Sequence, residues 1–136
     1  MRMITIFLLG AMGGNALAGE ILLKVEGGAA GKNVRAALYD TDRGFAAADG
    51  RLAFRTRQGE GESVALRFTD LPPGRYALAV YCDLNANGKL DSNLLGMPTE
   101  PYGFSRDARS LFGPPDFEQA SFDLGDGVIT TTVHLH

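Results

Sequence analysis

The chain is 136 residues long and carries 13 lysine and arginine against 16 aspartate and glutamate side chains, a formal charge of −3. That length fits one domain, and the acidic balance argues against a nucleic-acid partner, since phosphate binding wants a concentrated basic face. Cys82 is the single cysteine, so no intramolecular disulfide staples the fold and stability must come from a core, for which a domain of this size has enough surface to bury.

Residues 1–18 read as an address. Met1-Arg2-Met3 gives a positive start, 4–12 is an apolar run, and Ala16-Leu17-Ala18 is a small-x-small cleavage signal before Gly19. The run is shorter than the about 20 apolar residues a bilayer span needs. The expectation is a cleaved signal peptide over 1–18 and a single domain over 19–136, secreted, with no transmembrane segment after cleavage. No cysteine follows the cleavage point, so a lipid anchor is not implied.

From there the period is that of strands. Ile21, Leu23 and Val25 alternate with Leu22, Lys24 and Glu26; Val34, Ala36 and Leu38 alternate with Arg35, Ala37 and Tyr39. Residues 52–56 form a short candidate. Val64, Leu66 and Phe68 then face opposite Arg67 and Thr69, and Tyr76, Leu78, Val80 and Cys82 share a face. Residues 117–124 are another short candidate, and Ile129, Thr131, Val133 and Leu135 close the chain on one face. Breaks such as Gly27-Gly28, Asp49-Gly50, Pro72-Pro73-Gly74 and Gly125-Asp126-Gly127 separate the runs. About seven short strands with little helix predict an all-β, antiparallel β-sandwich of the transthyretin or immunoglobulin kind.

Two segments interrupt the rhythm. After Cys82, Asp83, Asn85 and Asn87 place side-chain oxygens at every second position, Gly88 follows, Lys89 offers a carbonyl and Asp91 another carboxylate. That is the order of ligands in a calcium loop, and the expected metal residues are Asp83, Asn85, Asn87, Lys89 and Asp91. Leu94 stands where the helix-loop-helix site has its bidentate glutamate, so a standard EF-hand is excluded. A remaining ligand has to come from Asn93, Glu100, Asp40 or Asp42, and affinity falls in the range of about 10⁻⁴ to 10⁻³ M of extracellular modules. The competing reading is a metal-free polar hairpin around Asn87-Gly88.

The second interruption is 94–116, longer than the about 15 residues beyond which structureless connections are uncommon. Its prolines are interleaved with Tyr102, Phe104 and Phe112, and that aromatic content argues against disorder. Ser105 is placed to cap a helical turn over 106–111, which would set Arg106 and Arg109 on one face to clamp an anion. Tyr102, Phe104, Arg106, Arg109 and Phe112 are the expected partner-binding residues.

The run Leu71-Pro72-Pro73-Gly74-Arg75-Tyr76-Ala77, the loop from Asp83, Leu94-Leu95-Gly96-Met97-Pro98, Glu100-Pro101-Tyr102-Gly103-Phe104-Ser105 and Phe112-Gly113-Pro114-Pro115-x-Phe117 resemble the bacterial domain-of-unknown-function family 2141. The resemblance implies a secreted or envelope β-sandwich without an established activity, and favours the periplasm. The Leu-Pro-Pro-Gly-x-Tyr turn is more loosely similar to transthyretin-like and carboxypeptidase-regulatory-like sandwiches, in which such a turn leads into a core strand. Cys82 departs from the histidine expected in many relatives.

The remaining candidates are weighed on their chemistry. His134 and His136 share a strand face at a spacing that lets two imidazoles hold one metal, or simply face solvent. Cys82 beside Asp83 gains no thiolate stabilisation and reads as a small buried hydrophobe. Asp116 and Glu118 have the look of an acid–base pair but equally of solvated carboxylates. The sequence therefore leads to a non-enzymatic secreted β-sandwich, calcium-stabilised, that binds an envelope protein or glycan through 94–116. The alternative is a small periplasmic hydrolase using carboxylates or histidines near that loop.

Overall fold

The computed structural model describes residues 18–27, 32–48, 50–59, 61–85, 100–111 and 113–136. The predicted signal peptide, apart from Ala18, lies outside the described residues. Eight strands are described: β1 (Gly19–Glu26), β2 (Asn33–Tyr39), β3 (Ala53–Gln58), β4 (Ser63–Leu71), β5 (Gly74–Asp83), β6 (Tyr102–Phe104), β7 (Phe122–Leu124) and β8 (Val128–His134). They form a three-stranded sheet in the order β4-β1-β8 and a five-stranded sheet in the order β3-β2-β5-β6, with β7 pairing another stretch of β5. The all-β sandwich expected from the alternation is what the chain builds.

The alternating residues do the work assigned to them. Ile21, Leu23 and Val25 of β1, Val34, Ala36 and Leu38 of β2, Val64, Leu66 and Phe68 of β4 and Tyr76, Leu78, Val80 and Cys82 of β5 meet in one core between the sheets. Each large apolar side chain buried there contributes about 1.5–3 kcal/mol. The turn before β5 is structural: the Tyr76 hydroxyl donates back to the Pro72 carbonyl, closing the proline-glycine corner through which the chain passes from one sheet to the other.

Three features depart from the expected elements. The β1–β8 pair is parallel, joining the first and last of the described strands, whereas the other described ladders are antiparallel. The stretch 117–124 is not one strand: a short helix α2 (Phe117–Ala120) precedes β7, because Asp116 accepts the Gln119 N–H and the Gln119 side chain accepts the Asp116 N–H, a reciprocal cap. An α1 helix (Asp42–Ala47), capped by Thr41, was not foreseen. It lays Phe45 on the outer face of the five-stranded sheet, where Ala37, Tyr39, Ala77 and Ala120 form a second, smaller core.

Ser105 is not a helix cap. Its buried hydroxyl accepts the Leu78 N–H at 2.9 Å and donates to the Ala120 carbonyl at 2.5 Å, tying β5 to α2. Removing that hydroxyl leaves a buried donor and a buried acceptor to find new partners. Ser105→Ala is expected to lose about 2 kcal/mol in urea denaturation; a loss under about 0.5 kcal/mol would show the bridge to be dispensable.

Candidate functional site: a groove beside the last strand

Strand β6 turns part of the 94–116 loop into an element of the sheet. It pairs with β5 on one side, Ala79 opposite Phe104 and Tyr81 opposite Tyr102. On the other side Tyr102 and His136 exchange both backbone bonds, at 3.2 and 2.9 Å. Gly103 makes this possible, since a Cβ there would lie 2.6 Å from the His134 carbonyl oxygen. The chain then makes a single 3₁₀ turn, Ser105–Asp107, in which Arg106 (φ 61°) and Asp107 (φ 49°) are both left-handed. Non-glycine residues adopt that conformation at a cost of roughly 1–2 kcal/mol each, so something must hold it.

What holds it is His134. The Asp107 carboxylate accepts the His134 backbone N–H at 2.9 Å and lies 2.8 Å from its Nδ1. Arg106 Nη1 reaches the Ser121 carbonyl at 3.4 Å. The result is a groove of about 210 Å³ walled by Tyr102 and Phe104, by 107–111 and 113–115, and by His134 and His136. The aromatic wall is continuous, with Tyr102 edge-on to Phe104 at 6.0 Å and Phe104 edge-on to Phe45 at 5.8 Å. Leu111 stands at the rim with 92% of its surface exposed.

Of the expected partner-binding residues, Tyr102, Phe104 and Arg109 line this groove. Arg106 does not: the helical turn meant to align it with Arg109 ends at Asp107, Ala108 is extended, and the Arg106 side chain turns toward Ser121. Phe112 lies outside the described residues. His134 and His136 line the same groove, but His134 is committed to a carboxylate, and among the described residues no group of three or more ligating side chains could hold a metal. Asp116 is spent on capping α2 and Glu118 is exposed on that helix, so they form no acid–base pair.

The expected metal loop is described only at its start. Asp83 is buried, with its Oδ2 2.9 Å from Arg35 Nε. Asn85 is exposed, and Asn87, Lys89, Asp91 and Asn93 lie outside the described residues. Glu100, one of the four candidates for the remaining ligand, is buried and accepts the Leu84 N–H at 2.8 Å, which brings it to the root of the loop. Register sets Asp40, and Asp42 after it, away from the root of the loop. Asn33 pairs with Asp83 and Tyr39 with Ala77, so Asp40 begins at the far end of the strand, about 20 Å away. Burial, then the neighbouring Glu100, pushes the Cys82 thiol up, which keeps it a neutral core group and no nucleophile. Burial likewise raises the Tyr81 hydroxyl, which sits among Arg35, Asp83, Glu100 and Arg51.

The pairing of Asp107 with His134, the close approach at Gly103 and the pairing of Arg35 with Asp83 were not foreseen. Nothing local marks them: Asp107 and His134 are 27 residues apart, and Arg35 and Asp83 are 48 apart. A family model described as an uncharacterised protein conserved in bacteria matches residues 24–132. No curated protein and no solved structure matches the chain.

Proposed function

The chain belongs to that bacterial family, DUF2141, and from this premise we propose that it is a secreted, periplasmic, non-enzymatic binding domain of transthyretin-like type. Its groove takes an envelope protein or glycan, and a calcium ion stiffens the loop after β5. The observation that carries the reading is the groove itself: an aromatic wall and an exposed Leu111 set beside a few fixed polar groups, the pattern of a recognition site. The test immobilises the protein and measures retention of solubilised envelope protein and of isolated envelope glycan. The double variant Tyr102→Ala/Leu111→Ser is expected to reduce retention at least ten-fold. Equal retention by wild type and variant would remove the groove from the function.

The calcium part is supported by the alternating oxygens of the loop and by two carboxylates, Asp83 and Glu100, buried at its root. Calcium at ten times its dissociation constant is expected to stabilise by about 1.4 kcal/mol, read as a rise in melting temperature that Asp91→Ala abolishes. A melting curve indifferent to millimolar calcium would refute it. Asp83→Ala is unsuitable as the probe, since it also strands Arg35.

A second reading, a small hydrolase, draws on the Asp107–His134 pair. An imidazole oriented by a carboxylate on Nδ1 offers Nε2 as a base toward water. It expects His134→Ala to abolish turnover in an ester and glycoside panel; a wild-type protein silent across that panel ends it.

A further inference from the structure

The ligand class can be narrowed from the hydrogen bonds around His134, an inference that rests on the groove being the binding site. We propose that the groove binds an uncharged saccharide, with His134 Nε2 accepting a sugar hydroxyl, Arg109 donating, and Tyr102 and Phe104 covering the apolar face of the ring.

Asp107 presents one carboxylate oxygen to the His134 backbone N–H and the other to Nδ1. A carboxylate only accepts, so Nδ1 carries the hydrogen, and in the neutral imidazole Nε2 is left as an acceptor. An acceptor in a groove wall calls for a ligand that donates, and hydroxyl groups do so without charge. The charges agree. Among the described side chains that line the groove, Asp107 and Arg109 carry the formal charges at neutral imidazole and cancel, so these side chains favour neither an anion nor a cation.

The aromatic component fits the same ligand. Tyr102 and Phe104 are half-buried and held edge to face, so their positions are fixed before anything binds. A sugar ring pairs one apolar face with a rim of hydroxyls, matching an aromatic wall beside an acceptor and a guanidinium. A peptide would bind a sheet edge by adding a strand. Here the free-side N–H and C=O of Tyr102 are already taken by His136, so that mode is closed at this edge. The groove is smaller than the about 300–1,000 Å³ of pockets that enclose drug-sized ligands, and the exposed Leu111 leaves its rim open. Such a groove holds a short stretch of a longer chain.

The test is a nuclear magnetic resonance titration of the 19–136 chain in calcium buffer. The probes are cellotetraose, chitotetraose, maltotetraose and mannotetraose, with an equimolar tetrapeptide mixture as the comparison. At least one oligosaccharide is expected to move the backbone signals of 102–111 and 134–136. Asp107→Asn should weaken that binding ten-fold or more, because the amide nitrogen turned toward Nδ1 donates, which drives the hydrogen to Nε2. Asparagine tolerates a left-handed backbone, so the turn survives, and the ring ¹⁵N shifts of His134 report the tautomer directly. Binding by Asp107→Asn equal to wild type despite a switched tautomer would overturn the acceptor role. Groove shifts with the peptides and none with the saccharides would overturn the ligand class while leaving the groove reading intact; no shift with any probe would overturn both.

Discussion

Gly103→Ala is expected to cost about 3 kcal/mol, the upper part of the range for overpacked sites. The added Cβ would stand 2.6 Å from the His134 carbonyl oxygen and 2.7 Å from Val133 Cγ1. Carbonyl and Val133 both belong to β8, whose neighbouring β1 ladder is long and buried, so the backbone there has little room to retreat. Strand β6 must move instead, and its three-residue ladder to β5 and the Tyr102–His136 bonds are what it would give up. The control is Gly61→Ala, where, among the described residues and apart from its chain neighbours, no atom lies within 4 Å of the new methyl group. Urea midpoints separate the two: a Gly103→Ala loss within about 0.5 kcal/mol of the control would mean that β6 and β8 are not in close contact. Because the same displacement pulls Tyr102 away from His134, ligand binding should fall together with stability, whereas Ser105→Ala should lower stability with a smaller effect on the groove.

The sandwich was legible because strand burial is a local property. Val64, Leu66 and Phe68 are buried and Ala65, Arg67 and Thr69 exposed, as a period of two requires. The reading failed where a non-local contact or a competing local pattern decided the outcome. Asp116-x-x-Gln119 is a capping pattern, yet the apolar spacing of 117–124 was read as a strand; the cap won at the start and the strand kept only its last three residues. The Ser105 hydroxyl, equally able to cap a helix, was captured by a β5 amide 27 residues away. The parallel closure of β1 on β8 depends on the two ends of the domain meeting, which no local window records. The aromatic residues of the groove were visible as a cluster. The Asp107–His134 pair was not, because Asp107 reaches His134 through two left-handed residues where no glycine marks the turn.

Arg35→Met is expected to cost about 3 kcal/mol, for a reason opposite to overpacking. The Asp83 side chain has no exposed surface while that of Arg35 is 21% exposed, and they meet at 2.9 Å. Removing one member of a buried pair takes a compensating charge away from the other, which typically costs 3–5 kcal/mol; the partial exposure of Arg35 places the expectation at the low end. Asp83→Asn keeps the shape and removes the charge, so the double variant Arg35→Met/Asp83→Asn should be more stable than Arg35→Met alone. An additive double variant would mean that the pair contributes no coupling. The proposed calcium ion gives the experiment a second sign to read. Arg35 and a cation would compete for the same carboxylate, so Arg35→Met should be weaker than wild type without calcium yet gain more from it. The Glu100 carboxylate at the root of the loop favours the ion in the same direction. Melting temperatures of both proteins, each with chelator and with millimolar calcium, decide the matter. A calcium increment in Arg35→Met no larger than in wild type would separate Asp83 from the ion and leave it as the internal counterion of Arg35.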